Sequence, residues 1–85
     1  MEKTKQDLPK WFNGEIYSEG DTVTNPFSGQ SYELTAEELS MYDFIIGANA
    51  VFEAGAYNKS VYNDMRKGLD WFRKNNVEAY YVLLD

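Results

Sequence analysis

The sequence predicts an α+β fold: a small three-stranded antiparallel meander, two helices and a C-terminal strand, in the order βββααβ. Three observations carry that expectation. Between Trp11 and Leu34 apolar residues are separated by polar ones and punctuated by Gly14, Gly20, Asn25-Pro26 and Gly29. From Thr35 onward a helix-start signal opens a long stretch with apolar residues three and four apart. The last segment, Val77 to Leu84, is apolar at both odd and even positions, as a strand covered on both faces would be.

Residues 1–10 (MEKTKQDLPK) are polar and mixed in charge, and read as a flexible tail ahead of a single domain over 11–85. They lack the apolar stretch of roughly 7–15 residues that a signal peptide needs. A first strand is expected at about 11–17, a turn at 18–21 and a second strand at 22–24. Asn25-Pro26-Phe27-Ser28-Gly29 is a turn, because Pro fixes its own φ and Gly29 can close with φ > 0. A third strand over 30–34 alternates Tyr32 and Leu34 against Ser31 and Glu33. Three short strands are marginal alone and must lie against helices.

Thr35-Ala36-Glu37-Glu38 is a capping box, with Leu34 and Leu39 at the two positions of a hydrophobic staple. The first helix is expected to run from Ala36 to about Ala56. Met41, Phe44, Ile45, Ala48, Val51, Phe52 and Gly55 fall in one arc and form its core stripe. A second apolar stripe lies opposite: Leu39, Tyr42, Ile46, Ala50 and Tyr57. The second helix, about 60–75, separates its faces more cleanly. Val61, Tyr62, Met65, Gly68, Leu69 and Phe72 lie on one side and Arg66, Lys67, Asp70, Arg73 and Lys74 on the other. Trp71 falls outside the apolar arc and is expected to cover an edge of the meander. Asn75-Asn76 ends the helix, since Asn tolerates the left-handed conformation.

Composition narrows the chemistry. The 85 residues include 8 basic and 14 acidic side chains, no His and no Cys, for a net charge of −6. With 44% apolar and 16% aromatic residues, the chain is too apolar to be disordered. The missing Cys excludes disulfides, thiolate nucleophiles and Cys-ligated metals, and the missing His removes the commonest general base. No Walker loop, GxSxG or GxGxxG occurs. Asp21-Thr22-Val23-Thr24-Asn25 has the faint look of a calcium loop, but Val23 takes a ligand position and no Glu stands at the twelfth. No catalytic residue, cofactor or metal site is expected, and the protein is expected not to be an enzyme.

Charge is segregated along the chain. Trp11 to Asn58 holds eight carboxylates (Glu15, Glu19, Asp21, Glu33, Glu37, Glu38, Asp43 and Glu53) and no Lys or Arg. Such a surface keeps a small protein soluble, docks a basic partner, or, at higher density of acid, mimics nucleic acid. The candidate partner surface is Glu15, Glu19, Asp21, Phe27, Glu33 and Glu37, with Phe27 either an exposed anchor or folded over the core. The first-turn acids Glu37 and Glu38 are accounted for by capping and the helix dipole. Glu53 interrupts the second stripe; if buried it would have a raised pKa and be satisfied by Tyr or Asn49. For nucleic acid, Arg66, Lys67, Arg73 and Lys74 on the second helix are the only candidate; against a net charge of −6 they would bind weakly and only at low salt, and a solvent-facing amphipathic helix explains them better. Asn58-Lys59-Ser60 fits the glycosylation triplet, but nothing in the sequence suggests secretion, and it reads as a helix start. The second stripe of the first helix needs cover, either from the last strand or from another copy, so Leu39, Tyr42, Ile46, Ala50 and Tyr57 are the candidate self-association residues of a homodimer.

NPFSG (25–29), SYELT (31–35) and ELSMYDFIIGA (38–48), with the stretch leading to them from Trp11, resemble short acidic proteins of tailed bacteriophages of marine and other bacteria, which have no assigned activity. The resemblance implies a viral origin and a setting in the host-cell cytoplasm, and it assigns no catalytic or binding residue. The function expected from residues and resemblance together is a non-enzymatic protein-interaction module acting on a host or viral protein, with no membrane contact. A nucleic-acid-associated protein using the second helix, or an acidic nucleic-acid mimic, is the alternative.

Overall fold

A computed structural model describes residues 7–84. In chain order the elements are β1 (Asp21–Thr24), β2 (Ser31–Leu34), α1 (Ala36–Glu53), α2 (Lys59–Asn75) and α3 (Val77–Leu83). Among the described residues, three helices and one two-stranded antiparallel sheet thus replace the expected three-stranded meander, two helices and C-terminal strand.

The correction falls at the two ends of the fold. Residues 11–17 form no strand. Phe12 N–H donates to the Pro9 carbonyl at 3.0 Å, and Tyr17 N–H donates to Ser40 Oγ in α1 at 2.9 Å. Trp11 and Phe12 both pack on Phe44, with ring centroids 6.0 and 5.7 Å away. Neighbours in a strand point to opposite faces, so two adjacent rings on one target require an irregular backbone. At the other end Val77–Leu83 is helical because Asn76 caps it, its Oδ1 accepting from Ala79 N–H at 3.2 Å. Ala79 and Leu83, four apart, are buried while Val77 and Tyr81 are exposed. In so short a segment, alternation and helical spacing pick out overlapping residues.

The start of α1 follows its sequence signals. Thr35 Oγ1 accepts from Glu38 N–H at 3.2 Å and Thr35 N–H donates to Glu38 Oε1 at 3.0 Å. Leu34 is buried, with Leu39 packed at the margin of the same core. The helix stops at Glu53, short of Ala56. Gly55 takes φ 90°, Gly55 N–H donates to the Phe52 carbonyl and Ala56 N–H to the Val51 carbonyl, which is a Schellman closure. Only Met41, Ile45 and Ala48 of the expected stripe are buried; Phe44 and Phe52 are half-buried, and Val51 and Gly55 face solvent.

Asn58 caps α2 through its Oδ1, which accepts from Ser60 and Val61 N–H at 2.9 and 3.2 Å. Asn76 closes α2 with φ −157°, extended rather than left-handed as expected, because the same residue must also open α3. Leu34, Met41, Ile45, Phe72, Ala79 and Leu83 make the core. There α1 and α2 approach closely at Gly68, where a Cβ would lie 2.9 Å from Met41 Sδ. Trp71 does not cover the sheet edge: its Nε1 donates to the Asp7 carbonyl at 3.0 Å, beside Pro9 and Trp11. Leu8 packs against the core, and residues 1–6 of the expected tail lie outside the described residues. Among the described residues no helix is long and apolar enough to cross a membrane.

Candidate functional site

The turn between β1 and β2 is built on Asn25. Its Oδ1 accepts from Phe27 N–H at 2.8 Å and, more weakly, from Ser28 N–H at 3.4 Å. Its backbone N–H donates to the Gln30 carbonyl and its carbonyl accepts from Gly29 N–H, both at 2.8 Å. Gly29 supplies the φ of 79° that closes the turn. Asn25 Nδ2 then donates to the Val82 carbonyl at 2.9 Å and fastens the hairpin tip to the end of α3. On this fixed turn Phe27 is 97% exposed, the anchor alternative of the two considered.

Phe27 stands at the mouth of a groove of about 510 Å³. Tyr42, Ile45 and Ile46 of α1 form one wall, Met65 and Leu69 of α2 the other, and Leu83 and Leu84 close an end. Asn49 and Glu53 are its polar members on α1. Glu53 is exposed, so the buried carboxylate considered from the sequence does not form. Burial raises the pKa of the Tyr42 phenol.

Beyond Met65 and Leu69, which line both, lies a second groove of about 440 Å³. Its other members are Tyr62, Arg66, Asp70, Arg73 and Tyr80. The guanidinium of Arg66 lies 5.9 Å from the centre of the Tyr62 ring, and that of Arg73 is 5.9 Å from the Tyr80 ring. Arg73 and Lys74 pair with Asp70 at 2.7 and 3.1 Å, and Lys67 pairs with Asp64 at 3.5 Å. Hydrogen bonds from Lys74 and Arg73 lower the pKa of Asp70. Arg66 donates to the Tyr62 hydroxyl at 3.4 Å and, like Glu53 across the Met65–Leu69 ridge, takes no part in these ion pairs.

Of the acidic candidates, Glu19, Asp21 and Glu33 lie at the other end of the hairpin. Glu19 and Glu33 line a shallow cleft with Gly20, Leu34 and Thr35, and Asp21 is paired with Leu34 in the sheet register. Glu37 is half-exposed in the first turn of α1, and Glu15 is exposed. Partial burial, then the Asp43 and Glu15 carboxylates, raise the Tyr17 phenol. Phe27 is therefore separated from the acids it was grouped with. Glu38 is withdrawn from this surface altogether: it is 2% exposed, and Asn76 Nδ2 donates to its Oε2 at 3.0 Å. That link between two helix caps has no signal in the sequence beyond the caps themselves.

Four of the five self-association candidates, Leu39, Tyr42, Ile46 and Ala50, lie along one side of α1, whereas Tyr57 lies beyond its end. Tyr42 and Ile46 lie in the groove. Leu39 is half-buried against the core and Ala50 is exposed. Tyr57 is 65% exposed, with its ring against Phe52 and Tyr62 at 5.8 and 6.0 Å. Met65, Leu69, Leu83 and Leu84 are among the groove residues that sequence reasoning misses, because the pattern assigns the last two to a strand and the α2 pair to the core. Among the described residues no three carboxylates converge in a way that could hold a metal ion. Set against known proteins, the chain matches no family model, no curated protein and no solved structure.

Proposed function

We propose that this protein is a small non-enzymatic interaction module that docks a basic protein through the acidic surface of Glu15, Glu19, Asp21, Glu33 and Glu37. The observation that supports it most is the charge segregation. The cations of α2 are largely engaged by Asp64 and Asp70 within the same helix, while the acidic segment from Trp11 to Asn58 contains no cation at all. Opposite charge brought by a partner would raise association rate and select against acidic competitors. The lack of His and Cys supports the non-enzymatic part. For a protein of the phage type the partner would be a host or viral protein of the cytoplasm.

The test is affinity capture from bacterial lysate with the full chain, at low salt and at about 0.5 M salt, where charge is screened to within a few ångströms. A basic protein retained by the wild type and lost both in high salt and on Glu19→Lys with Glu33→Lys is the expected result. Retention that ignores the charge reversal would overturn it. Nucleic-acid binding through α2 is the competing outcome: a gel shift at low salt that disappears on Arg66→Ala with Arg73→Ala would replace the protein-docking function.

A further inference from the structure

The surface around the Met65–Leu69 ridge brings four features together. An apolar trough lies on one side, lined by Tyr42, Ile46 and Leu84. A fully exposed ring, Phe27, stands at its mouth on a turn held by hydrogen bonds rather than left loose. One carboxylate, Glu53, sits on the trough side, and one guanidinium, Arg66, on the other side of the ridge. Ile46 is 43% exposed, so the apolar floor is open to water.

We infer that this ridge is the contact face of a two-fold homodimer in which the two copies meet ridge to ridge. In an isologous contact each surface point faces its mirror position across the axis, so the left flank of one copy covers the right flank of the other. With the axis along the ridge, Met65 and Leu69 of both copies form the centre. Phe27 of each copy enters the Leu69–Tyr80 groove of its partner, and Glu53 of each faces Arg66 of its partner. The flanks carry opposite charge, which is what a self-complementary patch requires and what two acidic surfaces could not provide. An apolar centre with Phe27 and Ile46 around it and charge at the rim is the usual anatomy of a stable interface. The face lies away from the Glu19–Glu33 cleft, so the dimer and the proposed partner surface are independent of one another.

The dimer is tested by sedimentation equilibrium of the full chain from about 10 to about 300 μM, the range in which a dimer of micromolar affinity shows itself. The wild type should rise from 9.8 kDa toward twice that mass. Phe27→Ala, Glu53→Arg and Arg66→Glu each change an exposed side chain, and each should weaken the dimer about tenfold or more. The double variant Glu53→Arg with Arg66→Glu restores the pairing with the charges exchanged, and should return the dimer to within a few-fold of wild type. Circular dichroism of each variant checks that it folds; if one does not, amide hydrogen exchange of the wild type at low and high concentration decides, with added protection expected around Phe27, Ile46 and Met65. A mass that stays at 9.8 kDa throughout, a dimer indifferent to Phe27→Ala and Arg66→Glu, or a charge exchange that fails to rescue would each overturn the inference.

Discussion

Helices α1 and α2 are almost the same length, 18 and 17 residues, yet they handle their surfaces in opposite ways. Helix α2 has one apolar side and an outer face whose charges answer one another, Lys67 to Asp64 and Arg73 and Lys74 to Asp70. Helix α1 has acids and no base, and apolar residues nearly all round. Its Met41, Ile45 and Ala48 are buried, whereas Ile46 and Val51 remain 43% exposed. An amphipathic helix is finished once it packs on its own core. A helix apolar on two sides is only half used by this chain, and the other half leaves apolar surface open to water.

The largest effect expected from this contrast separates two phenylalanines. Phe72 on α2 is 0% exposed and Phe27 on the hairpin turn 97% exposed. Phe72→Ala should cost about 3–5 kcal/mol, a large share of the stability of so small a domain. Phe27→Ala should stay within about 0.5 kcal/mol of wild type when the monomer is unfolded in urea at low concentration. Comparable losses for both would mean that Phe27 is packed in solution, and that the surface around α1 is more closed than described.

Next comes the joint between the two helices and α3. Asn76 accepts from Ala79 N–H, donates to the buried Glu38, and its own N–H donates to the Phe72 carbonyl. Asn76→Ala removes a helix cap and one donor to a buried carboxylate, an expected loss of about 2 kcal/mol in the urea midpoint. Asn76→Asp keeps the capping oxygen but sets a second carboxylate against Glu38, and should not rescue. Full rescue by Asp would show that only the cap matters and that Glu38 does not depend on Asn76.

How far the sequence carried is visible in the same residues. The start of α1 was legible because its determinants, Leu34, Thr35, Glu38 and Leu39, lie within six positions and act on each other directly. The 25–29 turn was legible for the same reason, as was α2, whose faces separate over four turns. The N-terminal segment was not, because Trp11 and Phe12 are placed by Phe44, thirty-odd positions away. Residues 77–84 read as a strand because Asn76 is both a stop for α2 and a start for α3, and in the sequence only the stop stands out. For the site, Tyr42 and Ile46 share one stripe of α1 in the sequence, but Phe27 is grouped there with the acids instead. Phe27 reaches that stripe through a turn fastened by the Asn25–Val82 hydrogen bond between residues 57 apart, which no local pattern announces.

A smaller pair of effects sets the two helices against each other through glycine. A Cβ on Gly47 of α1 would meet nothing within 4 Å, whereas one on Gly68 of α2 would lie 2.9 Å from Met41 Sδ and 3.4 Å from Ile45. Gly47→Ala should stabilise by about 0.5–1 kcal/mol through lower backbone freedom in the unfolded chain. Gly68→Ala carries the same benefit but overpacks the core, with an expected net loss of about 1 kcal/mol. Thermal unfolding at one concentration compares them. Equal and favourable changes would show that the core beside Met41 has room to yield, and that the closeness of α1 and α2 is not enforced by Gly68.

The smallest effect concerns the ion pairs that make the outer face of α2 self-sufficient. Asp70 receives Arg73 and Lys74, and their hydrogen bonds lower its pKa. A carboxylate with a lowered pKa in the folded state favours folding when ionised, at pH above its ordinary value, and that contribution fades as pH falls through the folded value. Both partners are exposed, so water and salt screen the attraction strongly. Wild type should therefore melt slightly above Asp70→Asn at pH 7 and low salt. The gap should narrow in about 1 M salt, where the Debye length is near 3 Å, and close at a pH low enough to protonate Asp70. A gap that persists in acid would assign the difference to helix propensity or side-chain packing instead of charge. The outer face of α2 would then be as dependent on its surroundings as the open face of α1.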